Sequence, residues 1–117
     1  MPRMSLTFED VTRIAQELPG VSVGTSYGTP ALRVGKKSMC RLWEDGEVLV
    51  LKPVEDIEQR FLMEIRPQVF FKTPHYEGYD AILIHLSAVD EDTLRDLLQQ
   101  CWRRLATKAL LKAAGAA

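Results

Sequence analysis

The chain is short of everything that usually builds a reactive centre. It holds two cysteines, Cys40 and Cys101, far apart and with no second cysteine beside either. That excludes a disulfide framework and a CxxC metal or redox site, and predicts two buried free thiols in a reducing cytoplasm. There are two histidines, His75 and His85. With no third nitrogen or sulfur ligand at usable spacing, no metal site and no cofactor is expected. Apolar runs stop after a few residues, too short to span a bilayer. Nothing near the N-terminus reads as a signal peptide, so a membrane partner is not expected. Charge of one sign is also missing: 15 basic and 16 acidic side chains leave a formal net charge of −1. A dedicated nucleic-acid binder is usually basic overall, so a role of that kind would need a local patch.

What is present is ordinary globular composition, 46% apolar and 26% charged in 117 residues, which predicts one domain with one core. Thr7 is a natural N-cap with Asp10 at N3, and Leu6 and Val11 sit at the staple positions of a first helix that Pro19-Gly20 stops. Ala31 to Val34 and Met39 to Trp43 read as strands around the polar tip Gly35-Lys36-Lys37-Ser38. Glu44-Asp45-Gly46-Glu47 carries the Asp-Gly signal of a second turn, and Val48 to Leu51 is apolar at every position, as in a strand covered on both faces. Pro53 suits a helix start. Val54, Ile57, Phe61, Leu62 and Ile65 give that helix an apolar stripe ending at Arg66-Pro67. Val69-Phe70-Phe71 predicts a short strand, Thr73 to Gly78 a loop and Ala81 to Leu86 a further strand. Asp90 caps a last helix with its stripe at Leu94, Leu97, Leu98, Cys101, Trp102 and Leu105. The order is α-β-β-β-α-(β)-β-α: an α+β domain, a three-stranded meander plus one or two further strands packed by three helices. The core spans 7–107, and 108–117 is a tail that extends the last helix or frays.

Two motifs match catalytic patterns in letter only. Gly24-Thr25-Ser26-Tyr27-Gly28 satisfies GxSxG, but a nucleophile elbow needs a strand before the serine and a helix after it. Here the reading is a helix before and a strand after, with the glycines relieving a turn. Gly35-Lys36-Lys37-Ser38 resembles the end of a P-loop, yet Pro30 stands where the first glycine belongs and no helix follows. Asp80 and His85 are five apart on one strand and point to opposite faces. The chain therefore reads as a non-enzyme.

Binding is the remaining class. Arg33, Lys36, Lys37 and Arg41 bracket the first hairpin tip with no acid among them, and Lys52 and Lys72 join that surface if the sheet brings them near. A basic projecting hairpin suits phosphate contacts, although hairpin tips are also charged merely to stay soluble. Ser26, Tyr27, His75, Tyr76 and Tyr79 mark two loops whose rings and hydroxyls suit a ligand. His85, on the face of Ala81 and Leu83, reads as a partly buried imidazole. Arg95, Arg103, Arg104 and Lys108, alternating with Asp92 and Asp96, read as a solvated helix face.

The segments GTSYGTPALRVGKKSMCRL, GEVLVLKP, FFKTPHYEGYDAILIHLSAVD and WRRLATKAL, in that order from Gly24 to Leu110, resemble the MmcQ/YjbR family. The resemblance extends from Thr7 to about Leu110. It implies a compact α+β fold similar to that of type III secretion chaperones, and DNA binding through a double-wing arrangement of hairpins, a family-level inference. Thr107 departs from the pattern, standing where many relatives carry a proline that closes the last helix. The resulting expectation is a non-enzymatic nucleic-acid-binding module that uses the Arg33–Arg41 hairpin. Two alternatives remain: a protein-interaction or chaperone-like adaptor, homodimeric or with a protein partner, presenting Trp43 and Met39; and a small-ligand domain at the Ser26–Pro30 and His75–Tyr79 loops.

Overall fold

The computed structural model describes residues 5–26, 28–43 and 47–115. Thr7 closes a full capping box with Asp10 at the start of α1 (Phe8–Ala15), its hydroxyl accepting from the Asp10 amide. Leu6 and Val11, the staple pair, are both buried. Next come β1 (Val21–Ser26), β2 (Thr29–Val34), β3 (Lys37–Leu42) and β4 (Val48–Leu51), all paired antiparallel. Helix α2 (Asp56–Ile65), β5 (Phe70–Phe71), a single 3-10 turn (Pro74–Tyr76) and β6 (Ile82–His85) follow, then α3 (Glu91–Leu105) and α4 (Lys108–Ala113). The six-stranded sheet has the order β1-β2-β3-β4-β6-β5. No helix among the described residues is long and apolar enough to cross a membrane.

This is the α+β domain that the sequence predicts, with one strand and one helix more. β1 is the added strand. It pairs flush with β2 from Val21↔Val34 to Ser26↔Thr29, so Gly24 lies in a strand and only Gly28, at φ +78, needs the left-handed region. The added helix is α4. Ala106 leaves the helical region at ψ 142, and Thr107 restarts the chain by capping α4 through the Leu110 amide. The described part of the tail is thus a short helix of its own, separate from α3. Leu110 packs beside Gly20, where a Cβ would sit 2.8 Å from its methyls on a backbone already at φ +76. The Asp-Gly turn at 44–46 lies outside the described residues, as does Tyr27.

Alternation along β4 sorts the two faces of the sheet. Leu49 and Leu51 enter the main core with Leu32, Cys40, Ile82, Ile84 and Phe70, beneath the stripes Val11–Ile14 of α1 and Leu94–Leu97–Leu98–Cys101–Trp102 of α3. Burying each such side chain is worth about 1.5–3 kcal/mol, so this layer carries most of the stability. The Trp102 indole donates to the Pro19 carbonyl at 2.7 Å, tying the end of α3 to the turn after α1. Val48 and Val50 point the other way, into a smaller cluster with Leu83, Ala81 and Tyr76, flanked by Trp43 and Phe71. On that face the cover comes from the segment around the 3-10 turn. His85 stacks on Phe71 there, with centroids 4.3 Å apart.

A bulge interrupts the β2–β3 ladder between Leu32↔Cys40 and Arg33↔Ser38, leaving Met39 as the extra residue. Met39 and Cys40, neighbours in sequence, are both buried in the main core. The Met39 carbonyl accepts from the Lys52 amide at 2.9 Å.

Helix α2 corrects the sequence reading. Its stripe at Ile57, Phe61 and Ile65 does not face the core; these side chains are 75%, 59% and 52% exposed. The buried side chains of α2 are Gln59 and Leu62, which at 3.6 residues per turn lie about 100° or more round the helix from Phe61. Gln59 is held by polar bonds. Its amide nitrogen donates to the carbonyls of Val54 (2.7 Å) and Tyr79 (3.1 Å), and its oxygen accepts from Lys72 Nζ at 2.8 Å. Lys72 also donates to the Tyr79 carbonyl at 3.0 Å, and the Val54 amide donates to the Asp80 carbonyl at 2.7 Å. This clasp pins the 72–80 segment to the start of α2.

Two expectations follow. Replacing Gln59 with leucine keeps the volume but leaves the Val54 carbonyl without its side-chain donor and takes from Lys72 one of its two acceptors, and should cost about 1–3 kcal/mol in urea unfolding. Amide exchange at Val54 and Tyr79 should quicken, while exchange in β2–β4 stays slow. The second concerns Asp90, which caps α3: its carboxylate accepts from the Thr93 hydroxyl (2.7 Å), the Thr93 amide (3.0 Å) and Arg66 (2.9 Å). These bonds, the Thr93 hydroxyl first, hold its carboxyl far below the ordinary range. A depressed folded-state value means that the stabilisation is complete above the unfolded carboxylate's value of about 3.9 and drains away as pH falls below it. Asp90→Ala should cost about 1 kcal/mol at neutral pH, and should flatten the fall in stability between about pH 4 and pH 2.

Candidate functional site

The second face of the sheet is only partly covered, and the uncovered part is concave. Ser26 at the end of β1, Arg41 on β3, Val50 on β4 and Lys52 just beyond it form one side and the floor. His75, Tyr76, Tyr79 and Asp80 form the opposite wall, enclosing a groove of about 760 Å³. The strand pairing explains this grouping. Arg41 lies opposite Ala31 on β2 and Val50 on β4, and Ala31 lies opposite Gly24. The small residues at 24 and 31 keep this part of the face low beside the bulkier cover over β4 and β6.

The wall is an aromatic cluster. The His75 ring meets Tyr76 edge-on at 5.1 Å and Tyr79 at 6.5 Å, and Tyr76 meets Tyr79 at 5.9 Å. Such edge-to-face arrangements are the preferred geometry of aromatic pairs. Tyr76 is buried, and its hydroxyl accepts from the Arg41 guanidinium. Trp43 backs it in a T-shaped contact at 6.5 Å. Tyr79 is 56% exposed and presents its ring to the groove. Arg41 therefore has a structural partner in the floor, while His75 and Tyr79 are offered outward.

The basic residues do not form one group. Lys37, Ser38, Lys52 and Asp80 line a shallower depression of about 290 Å³, which shares Ser38, Lys52 and Asp80 with the groove. Arg33 lies on the groove face of β2, where its guanidinium donates to the Thr25 carbonyl at 3.3 Å. Lys36 sits in the turn beside Gly35, whose φ of +61 makes the tight reversal. Lys72 is drawn away into the Gln59 clasp. The cations thus gather only in part: Lys52 and Arg41 line the groove with Arg33 on the same face, whereas Lys37, opposite the core residue Val34, reaches only the adjoining depression. Ser26 and the His75–Tyr79 loop, two separate segments in the chain, do converge. Gln59 had no signal in the sequence: a glutamine on an amphipathic helix reads as surface.

Other candidate centres stand apart from this site. Ser26 is preceded by β1, not by a helix, and followed by β2, so the strand-to-helix turn of a nucleophile elbow is absent. The glycine-lysine pair of the hairpin likewise leads into β3. Burial raises the Cys40 thiol and pushes Cys101 up to about 12, so both stay neutral. Among the described residues no group of three His, Cys, Asp or Glu side chains converges as a metal would need. Met39 is buried and Trp43 packs on Tyr76, so neither offers the apolar patch that an adaptor was expected to present there.

The comparisons with known proteins agree on the fold. The crystal structure of the Deinococcus radiodurans protein DR2400, a DUF419 domain, superposes with a TM-score of 0.76 over 97% of this chain and 91% of that one, at 22% identity. The uncharacterised protein Rv2570 of Mycobacterium tuberculosis is 26% identical over an alignment of 126 residues, covering 92% of this chain and 94% of its own length. An uncharacterised protein of Mycobacterium bovis matches to the same extent. The YjbR family model matches residues 16–104, which takes in β1 to β6, α2 and nearly all of α3. The chain belongs to the YjbR family.

Proposed function

We propose that this domain is a non-enzymatic nucleic-acid contact module of a reducing, cytoplasmic compartment, and that the groove and the β2–β3 hairpin are its contact surface. The observation that supports this reading is the placing of cations and open aromatic faces in one groove, Lys52 and Arg41 beside His75 and Tyr79, with Lys37 in the adjoining depression. Lys36, Lys37 and Lys52 neutralise phosphates, and Arg33 extends the track along β2. A base stacks on Tyr79 or His75, a contact worth about 1–3 kcal/mol and indifferent to sequence. Arg41 holds Tyr76 in place, and Lys72 braces the loop. With a net charge of −1 the molecule as a whole attracts no polyanion, so binding rests on the local strip and is weak and salt-sensitive.

A second reading draws on the concavity. Ser26, His75, Tyr76 and Tyr79 share one groove, and its volume falls within the roughly 300–1,000 Å³ of small-molecule sites. A free nucleotide offers the same phosphate and base as a strand, so the two readings separate by length of ligand.

Fluorescence anisotropy with a labelled 20-nucleotide single strand, its duplex and a mononucleotide competitor, at 50–200 mM salt, tests both. Three phosphate contacts predict a log–log salt slope of about −2 to −3. Lys36→Glu with Lys37→Glu should weaken strand binding at least tenfold and make the slope shallower by about 1–2. Tyr79→Ala should weaken the single strand more than the duplex and leave the slope alone. Absence of salt-sensitive binding at micromolar protein refutes the nucleic-acid reading. Saturable binding of the mononucleotide with none of the strand transfers the site to the small ligand.

A further inference from the structure

The most unusual surface feature lies on the helical side, away from the groove. Ile57, Phe61 and Ile65 fall at i, i+4 and i+8 along α2, a straight apolar row that no other element covers, 52–75% exposed. Single exposed apolar residues are commonplace, whereas a row of three large ones on one helix marks a surface made to be covered. Beside the row, α2 and α3 leave a trough of about 480 Å³ with Phe61, Leu62 and Leu97 along its base.

Charge indicates what fills it. Glu58 on α2 and Asp92 and Asp96 on α3 line the trough, and Arg95 is its one basic residue. Arg95 is already matched by Glu17 (3.0 Å), Glu91 (3.2 Å) and Asp92 (3.7 Å). Arg60 is matched by Asp56 at 3.0 Å, and Arg104 is shared between Glu55 and Glu58, each at 3.7 Å. Glu64 and Asp96 pair with no cation among the described residues. The trough is therefore apolar along its base and acidic along its rims. A second copy fits it poorly: an antiparallel pairing of two α2 helices about Phe61 would set Glu58 of each against Glu64 of the other, like charge against like.

We propose that the α2–α3 trough is a docking site for a basic amphipathic helix of a partner protein, its apolar face on Ile57, Phe61 and Ile65 and its lysines or arginines against Asp92, Asp96 and Glu64. An amphipathic helix laid in a groove reads its site through anchors at i, i+3, i+4 and i+7, which matches a row of this length. The surface is independent of the nucleic-acid reading, since it lies on the opposite side of the sheet and shares no residue with the groove.

The test uses the whole chain and three labelled 18-residue peptides: a leucine–lysine amphipathic helix, the same composition scrambled to destroy the apolar face, and the leucine–glutamate counterpart. The amphipathic basic peptide should bind with micromolar affinity, at least tenfold more tightly than either of the others. Phe61→Ala should weaken it at least tenfold with an unchanged melting temperature, because the side chain is exposed. Asp92→Lys with Asp96→Lys should weaken it likewise and reduce its salt dependence. Equal binding of the scrambled peptide, no binding of the amphipathic one, or indifference to Phe61→Ala overturns the proposal. A concentration-dependent dimer in sedimentation that Phe61→Ala abolishes also overturns it, in favour of a second copy on this face.

Discussion

A strand apolar on both faces has to be covered twice, and most of this architecture follows from how β4 meets that demand. Leu49 and Leu51 are covered by α1 and α3, which bring whole helical stripes to the task. Val48 and Val50 receive far less: one 3-10 turn, Tyr76 and the flanking Trp43 and Phe71. A short irregular segment cannot cover a six-stranded sheet, so part of the second face stays open, and the groove is that remainder. Its walls are chemically rich for the same reason. A cover without regular backbone pairing is held by side chains, and Gln59, Lys72, Tyr76 and Arg41 are the ones that hold it.

The two sides of the sheet also differ in charge. On one lie Lys52, Arg41 and Arg33; on the other lie Glu58, Glu64, Asp92 and Asp96 along α2 and α3. A net charge of −1 conceals this separation, because equal and opposite patches cancel in the sum. At distances beyond a Debye length the molecule is nearly neutral, yet close to either side an approaching ligand meets an excess of one sign, cationic beside Asp80 in the groove and anionic beside Arg95 in the trough.

Much of the fold was legible because its signals are local. Thr7 and Asp90 cap the helices that they were expected to cap, and Val48–Leu51 is buried at every position. The failures are equally physical. β1 was missed because Val21–Ser26 is polar and glycine-bearing at an edge, where one face needs no apolar residues. The separate α4 depends on Ala106 leaving the helical region, which an alanine does not announce. The α2 stripe misled because periodicity reports an apolar face and not what that face meets. Ser26 and the His75 loop could be named singly, but their convergence depends on the register of β1 against β2 and on a clasp built around a buried glutamine.

One irregularity fixes more of the site than any ladder bond does. The bulge turns Met39 inward beside Cys40, and the carbonyl that it releases takes up the Lys52 amide. The distance from Lys52 to the hairpin tip is therefore set by a flaw in the pairing. A transplant of β2, β3 and β4 onto a perfectly regular sheet would carry every charge of the strip and lose its spacing. The spacing of the strip is thus a property of the defect, which sequence composition alone does not reproduce.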